Sequence, residues 1–185
     1  ADALIAGDDA AGAAREAEQA FAADQSNPVA LMAGLTLART GRTPAALKVA
    51  AMLGEKLEAE PQAYSWLIRA ESALSQKQAR VALNHAQAAR ALVDTWLGRV
   101  ILARTYIALD EFASATSELD AATARSGEAL AIAIDDVPTY RYFPQVTYYK
   151  GLAQAGLKSP AAKDSFAAFL AIKANRHETG GLVAA

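Results

Sequence analysis

Val93 to Ala122 reads VDTWLGRVILARTYIALDEFASATSELDAA, and the reading of this stretch decides the fold. It predicts two helices joined by a tight turn at Leu109-Asp110-Glu111. In the first helix Trp96, Val100, Ala103 and Ile107 share one face, and Leu102, Tyr106 and Leu109 share another. A helix apolar on two faces is buried on both sides. In the second helix Phe112, Ala115, Leu119 and Ala122 make one stripe, with Ser114, Ser117 and Glu118 outside it. That is the pattern of a half-exposed outer helix. One such pair cannot cover its own apolar surface and needs similar pairs on either side.

Working outward, four helix pairs fall into register on a small residue at the middle of each inner helix: Gly34, Ala70, Ala103 and Gly151. They follow one another at 36, 33 and 48 residues. The first two spacings bracket a period of ~34 residues, and the third carries an insertion of roughly fourteen. The prolines agree. Asn27-Pro28, Thr43-Pro44 and Ser159-Pro160 each pair a capping residue with Pro at the first helical position. Pro61 and Pro144 open two more helices, Pro138 sits in a linker, and none lies in a helix interior. Gly41 marks the turn of its pair.

The expected map is one repeat domain over 1–185. A lone outer helix covers 9–24, and pairs follow at 28–58, 61–92, 95–132 and 145–174. The outer helix of the third pair is expected to run from Glu111 to about Ile132. A linker, IDDVPTYRYFP, spans 134–144, and the tail from His177 is expected to fray. Tyr140, Tyr142 and Phe143 concentrate aromatic character in the linker, where they are expected to plug the last pair against the third. The competing reading of these rings is a ligand contact beside a groove.

Composition narrows the function. With 53% hydrophobic and 21% charged residues the chain is globular. Its 18 basic and 20 acidic residues leave a net charge of -2 without a basic run, so nucleic acid is not an expected partner. There is no cysteine, which removes disulfides and thiolate metal sites. No apolar run reaches the ~18 residues of a membrane span. The chain begins at Ala1 without Met and shows no signal peptide, so a segment excised or processed from something longer is expected, with a missing inner helix before residue 9.

Chemistry is sparse. His85 has no acidic or histidine neighbour at helical spacing, and His177 beside Glu178 does not make a metal site. Gly54-Glu55-Lys56 lacks the upstream glycine and the following Ser/Thr of a phosphate loop. Asp8-Asp9 and Asp135-Asp136 flank helix ends, where Asp caps and solvates. No catalytic constellation, metal site or cofactor is expected, and an enzyme is the disfavoured class.

The repeated pattern resembles the tetratricopeptide repeat family over nearly the whole chain. Gly34, Leu37, Gly41 and Ala46 carry the likeness in the first pair, and Trp66, Ala70, Ala82, Ala86 and Ala89 in the second. Leu102, Ala103, Tyr106, Ala115 and Ala122 carry it in the third, and Gly151, Ala162, Phe166 and Phe169 in the last. Arg69 and Arg99 depart from it, standing where the family usually has apolar residues. The resemblance implies an all-α, right-handed superhelix of antiparallel helix pairs, an α-solenoid whose inner helices line a concave groove for a peptide or protein segment. By that register the wall comprises Leu31, Leu35, Tyr64, Leu67, Glu71, Leu97, Val100, Arg104, Tyr148 and Leu152. It is largely apolar, with Glu71 and Arg104 setting the orientation of the bound segment, and Leu35 and Leu67 are expected to serve binding rather than folding. It lacks the Lys/Asn cluster with which chaperone-binding members clamp a C-terminal carboxylate. The alternative use of such an array is self-assembly into a homo-oligomer.

A second resemblance concerns DDVPTYRYFPQVTYYKGLAQAGLKSPAAKDSFAAFLAIK, Asp135 to Lys173. It is similar to the C-terminal repeat segment of bacterial serine/threonine kinases of eukaryotic type, which place a kinase domain before a membrane span and a repeat array beyond it. That likeness implies a sensory or scaffolding part of a signalling protein, extracytoplasmic in location. Without it a cytoplasmic location is expected. None of the kinase's catalytic residues is present in this stretch.

Overall fold

The chain's alanine content and its terminal prolines set where helices run. The computed structural model describes residues 9–129 and 143–173, and among them every regular element is a helix. These are α1 (Ala10–Ala23), α2 (Asn27–Arg39), α3 (Thr43–Gly54), α4 (Ala59–Ser75) and α5 (Ala79–Leu92). Then come α6 (Trp96–Ile107), α7 (Phe112–Ala124), α8 (Ser126–Ala129), α9 (Phe143–Gly156) and α10 (Ala162–Lys173). Asp9 caps α1 by accepting from the Gly12 N–H at 2.7 Å, and Thr95 caps α6 by accepting from the Gly98 N–H at 3.0 Å. Each cap satisfies one of the donors that a helix start leaves without an intrahelical acceptor. Pro28, Pro44, Pro61 and Pro144 stand in the first turns of α2, α3, α4 and α9, where a missing N–H costs nothing.

The four tight turns are copies of one another. Gly41, Lys77, Asp110 and Lys158 all have φ between 56 and 76°, the left-handed region. In each turn the next residue closes back five positions: Arg42 N–H to Leu37 O, Gln78 to Ala73, Glu111 to Tyr106, and Ser159 to Gln154, all at 2.8–2.9 Å. This is the helix-ending bond pattern that needs one left-handed residue. The left-handed residue stands seven places after Gly34, Ala70, Ala103 and Gly151 respectively. The small residue in the helix and the turn that ends it therefore recur at one fixed separation, as a repeated hairpin requires.

Contacts divide the chain into two units, one up to Val93 and one from Asp94. In the first unit α1 packs on α2, α2 pairs with α3, α4 pairs with α5, and α4 also packs on α2 and α3. Gly34 explains the close approach of α2 to α4, because a methyl group there would run into the Ile68 side chain. Between α3 and α4 the buried Ser65 hydroxyl donates to Ala50 O at 2.6 Å. The outer stripes are Ala46, Ala50 and Leu53 on α3 and Ala82, Ala86 and Ala89 on α5, all buried. Small side chains on these stripes let the helices of a pair lie close.

In the second unit α6 pairs with α7, α9 pairs with α10, and α9 also packs on α7 and α6. Trp96, Ile101 and Leu102 are buried from both sides of α6, and Ala115, Leu119 and Ala122 form the buried stripe of α7. Gly156 admits the ring of Phe112, and Gly151 admits Phe166, which an added methyl would meet at 2.6 Å. Glu118, expected outside the stripe, is buried because Arg99 donates to it at 2.9 Å. The outer helix expected to reach Ile132 stops at Ala124, turns at Arg125 and resumes briefly as α8. Arg125 is drawn off the helix path by Asp94, whose backbone oxygen it holds at 2.7 Å, and by Glu128 at 2.6 Å.

α10 is set one residue out of phase. Its buried stripe runs through Ala162 and Phe169, whereas the register of the other outer helices would use Lys163, Ala167 and Leu170, all exposed. The Ser159–Ala161 turn closes from Ala162 N–H to Ser159 O, three residues back, and this tighter winding advances the stripe. Of the linker, Phe143 and Pro144 belong to α9, while Tyr140 and Tyr142 lie outside the described residues, as does the tail.

Lysine in the left-handed region carries a steric cost of ~1–2 kcal/mol, partly offset in glycine by backbone entropy. Lys77→Gly and Lys158→Gly should therefore each stabilise the fold by ~0.5–1 kcal/mol, and Gly41→Ala should destabilise it by about 1 kcal/mol. Urea midpoints check this, and a lower midpoint for Lys77→Gly would contradict the assigned turn.

Candidate interaction surface

The residue directly after each small inner-helix residue decides how open the expected wall is. These residues are Leu35, Glu71, Arg104 and Leu152. In the first unit the wall is shut. Leu31, Leu35, Tyr64 and Leu67 are buried, and so is Glu71, at 1% exposure. A carboxylate cannot be buried alone, and the Arg39 guanidinium reaches it with Nε to Oε1 at 3.2 Å and a second nitrogen to Oε2 at 3.4 Å. Arg39 ends α2 and Glu71 lies on α4, so the pair bridges the two inner helices.

In the second unit the wall is shut at one end only. Leu97, Val100 and Tyr148 are buried, while Arg104 and Leu152 are half-buried. Further along the same faces Ile107 is half-buried and Ala155 is exposed. The wall thus opens toward the C-terminal ends of α6 and α9. Arg104 lies over the Tyr149 ring, 5.5 Å from its centroid, a cation–π contact between the two helices. Beneath it Tyr148 packs against Tyr149, Phe166 and Phe169 at 5.7, 5.9 and 5.3 Å. Burial, reinforced by Tyr149, pushes the Tyr148 hydroxyl above its ordinary pKa, so it stays neutral.

The departures from the family pattern have local causes. Arg99 bridges Asp94 at 2.5 Å and Glu118 at 2.9 Å, tying the start of α6 to α7. Arg69 lies 5.7 Å over Trp66, which also stacks on His85 at 5.2 Å. Burial, then the Arg69 charge, lowers the His85 pKa and favours a neutral imidazole stacked between helices. Among the described residues no group of His, Cys, Asp and Glu could hold a metal ion. Asp9 is a helix cap, whereas Asp8, Asp135, Asp136, His177 and Glu178 lie outside the described residues.

Arg39, Ile107 and Tyr149 were not among the expected wall residues. Arg39 was legible in principle: a buried glutamate in an apolar wall demands a cation, and Arg39 lies one turn beyond Leu35 on the neighbouring inner helix. Tyr149 sits outside the wall stripe, and only the crossing of α6 and α9 brings it under Arg104. No family model, curated protein or solved structure matches this chain.

Leu35 and Leu67 are less than 2% exposed, so replacing either by Ser should cost ~2–5 kcal/mol. Far-UV CD melting checks this. A melting temperature equal to that of the parent chain would show the two side chains to be free of the core.

Proposed function

We propose that the chain is a protein-interaction module of tetratricopeptide type, a right-handed superhelical array that holds a peptide or protein segment against its inner helices. The recurrence of one hairpin geometry carries this reading: four left-handed turns, each seven residues after a small inner-helix residue. Side chains in such hairpins serve packing, and what remains for a ligand is the wall left open. That wall is the C-terminal half of α6 and α9, with Arg104, Ile107, Tyr149 and Leu152. The likeness of Asp135 to Lys173 to kinase-associated repeats supports a sensory or scaffolding role in a larger bacterial signalling protein, extracytoplasmic on that likeness. One observation favours self-assembly as the second reading: the phase slip of α10 leaves Leu170 and Ile172 exposed at 46% and 40%.

A random dodecapeptide library selected on the immobilised chain, followed by titration of a labelled enriched peptide, tests the module reading. Leu152→Glu should weaken that peptide at least tenfold, roughly 1.4 kcal/mol, with CD melting unchanged. Failure to enrich any peptide, or binding indifferent to Leu152→Glu, would contradict it. A molar mass rising with concentration and reversed by Leu170→Glu would point to assembly instead.

A further inference from the structure

We propose that the α4–α5 hairpin has a pH-sensitive fastening: the His85 imidazole, stacked on Trp66 beside the Arg69 guanidinium, holds α5 against α4 while neutral and loosens it on taking up a proton. This is independent of the interaction-module reading. His85 comes from α5, and Trp66 and Arg69 come from α4. The imidazole and indole centroids lie 5.2 Å apart at an interplanar angle of 30°, and the guanidinium carbon lies 5.7 Å from the indole centroid. All three side chains are half-buried.

Among the described residues of the first unit, a proton on His85 meets no compensating charge. From Ser72 to Val93, which takes in all of α5 and its flanking turns, the sequence has no Asp or Glu. The other ionisable groups there, Lys77, Arg80 and Arg90, are cations. On α4, the element of this unit packed against α5, Glu60 accepts from the Tyr64 hydroxyl at 2.7 Å and Glu71 is held by Arg39. Arg69 is the α4 charge that acts on the imidazole, and it has the same sign as the added proton. An indole face attracts a cation, but Arg69 already draws on this ring. A second cation there is repelled by the first and gives up part of its water.

Burial, then Arg69, hold the imidazole below its ordinary pKa, so the folded hairpin takes the proton less readily than the unfolded chain. The fastening is therefore complete above histidine's ordinary value and is lost as pH falls through it toward the lowered one. The loosening is local. The buried residues of α5 are small apart from Leu83, namely Ala82, Ala86 and Ala89, so the ring stack is a sizeable share of what holds this helix. α4 keeps its own anchors on α2 and α3 through Ile68 and Ser65, neither of which involves His85.

NMR of the isotopically labelled chain between about pH 5 and about pH 8 tests this, by titration of the His85 ring and by amide-exchange protection along α5 relative to α2. His85 should titrate below the ordinary histidine value, and Arg69→Gln should move its midpoint upward. Relative protection of α5 should fall about threefold or more at the acid end in the wild-type chain. His85→Phe, which keeps a ring on Trp66 but takes no proton, should retain that protection. A His85 midpoint at or above the ordinary value overturns the proposal, and this is read on the wild-type chain whether or not a variant folds. An equal acid loss in His85→Phe, or equal losses in α5 and α2, also overturns it.

Discussion

A chain that turns back on itself within two residues must place one residue in the left-handed region, and this constraint organises the molecule. Gly41, Lys77, Asp110 and Lys158 meet it, three of them without the glycine that would meet it most easily. Because the turn ends the inner helix at a fixed distance from its small residue, it also fixes which face of the next helix returns to the core. Ala46, Ala82 and Ala115, each twelve residues after the small residue, are fully buried in consequence. Where the turn is wound differently, at Ser159 to Ala161, the stripe of the next helix slips by one residue and large side chains become exposed. The turn thus governs both what is buried and what is left for contact.

Charge divides the inner faces into two kinds of surface. A buried ion pair stabilises little relative to apolar packing, because both groups lose their water. The Arg39–Glu71 pair is therefore better understood as a constraint on how α2 and α4 align than as a source of stability. Arg104 stands at the position of Glu71 in register, lies over the Tyr149 ring and keeps part of its exposure. The same backbone site is consumed by the fold in one unit and left accessible in the other.

Much of the helical architecture was legible because its signals are local. Pro28, Pro44 and Pro144 mark helix starts, and Gly34 and Gly151 mark close approaches that a methyl group would block. The turn at Asp110 was read directly from Leu109-Asp110-Glu111, whereas the left-handed residues at Lys77 and Lys158 were harder, since lysine carries no mark of a left-handed backbone. The end of α7 was misplaced because the apolar pattern continues past Ala124, while the break depends on Asp94, thirty-one residues away, capturing Arg125. The wall illustrates the same limit. Its register was readable, but whether Leu35 or Leu152 meets solvent depends on how neighbouring helices cross, and no single helix's periodicity contains that.

The account stands on the four left-handed turns being one motif. NMR of the isotopically labelled chain measures this directly, through the intraresidue amide–Hα NOE that a left-handed residue makes strong. Gly41, Lys77, Asp110 and Lys158 should all show it, with slowly exchanging amides at Arg42, Gln78, Glu111 and Ser159, the donors that close each turn. Weak intraresidue NOEs at Lys77, Asp110 and Lys158, with helical contacts running on through them, would contradict the repeated hairpin.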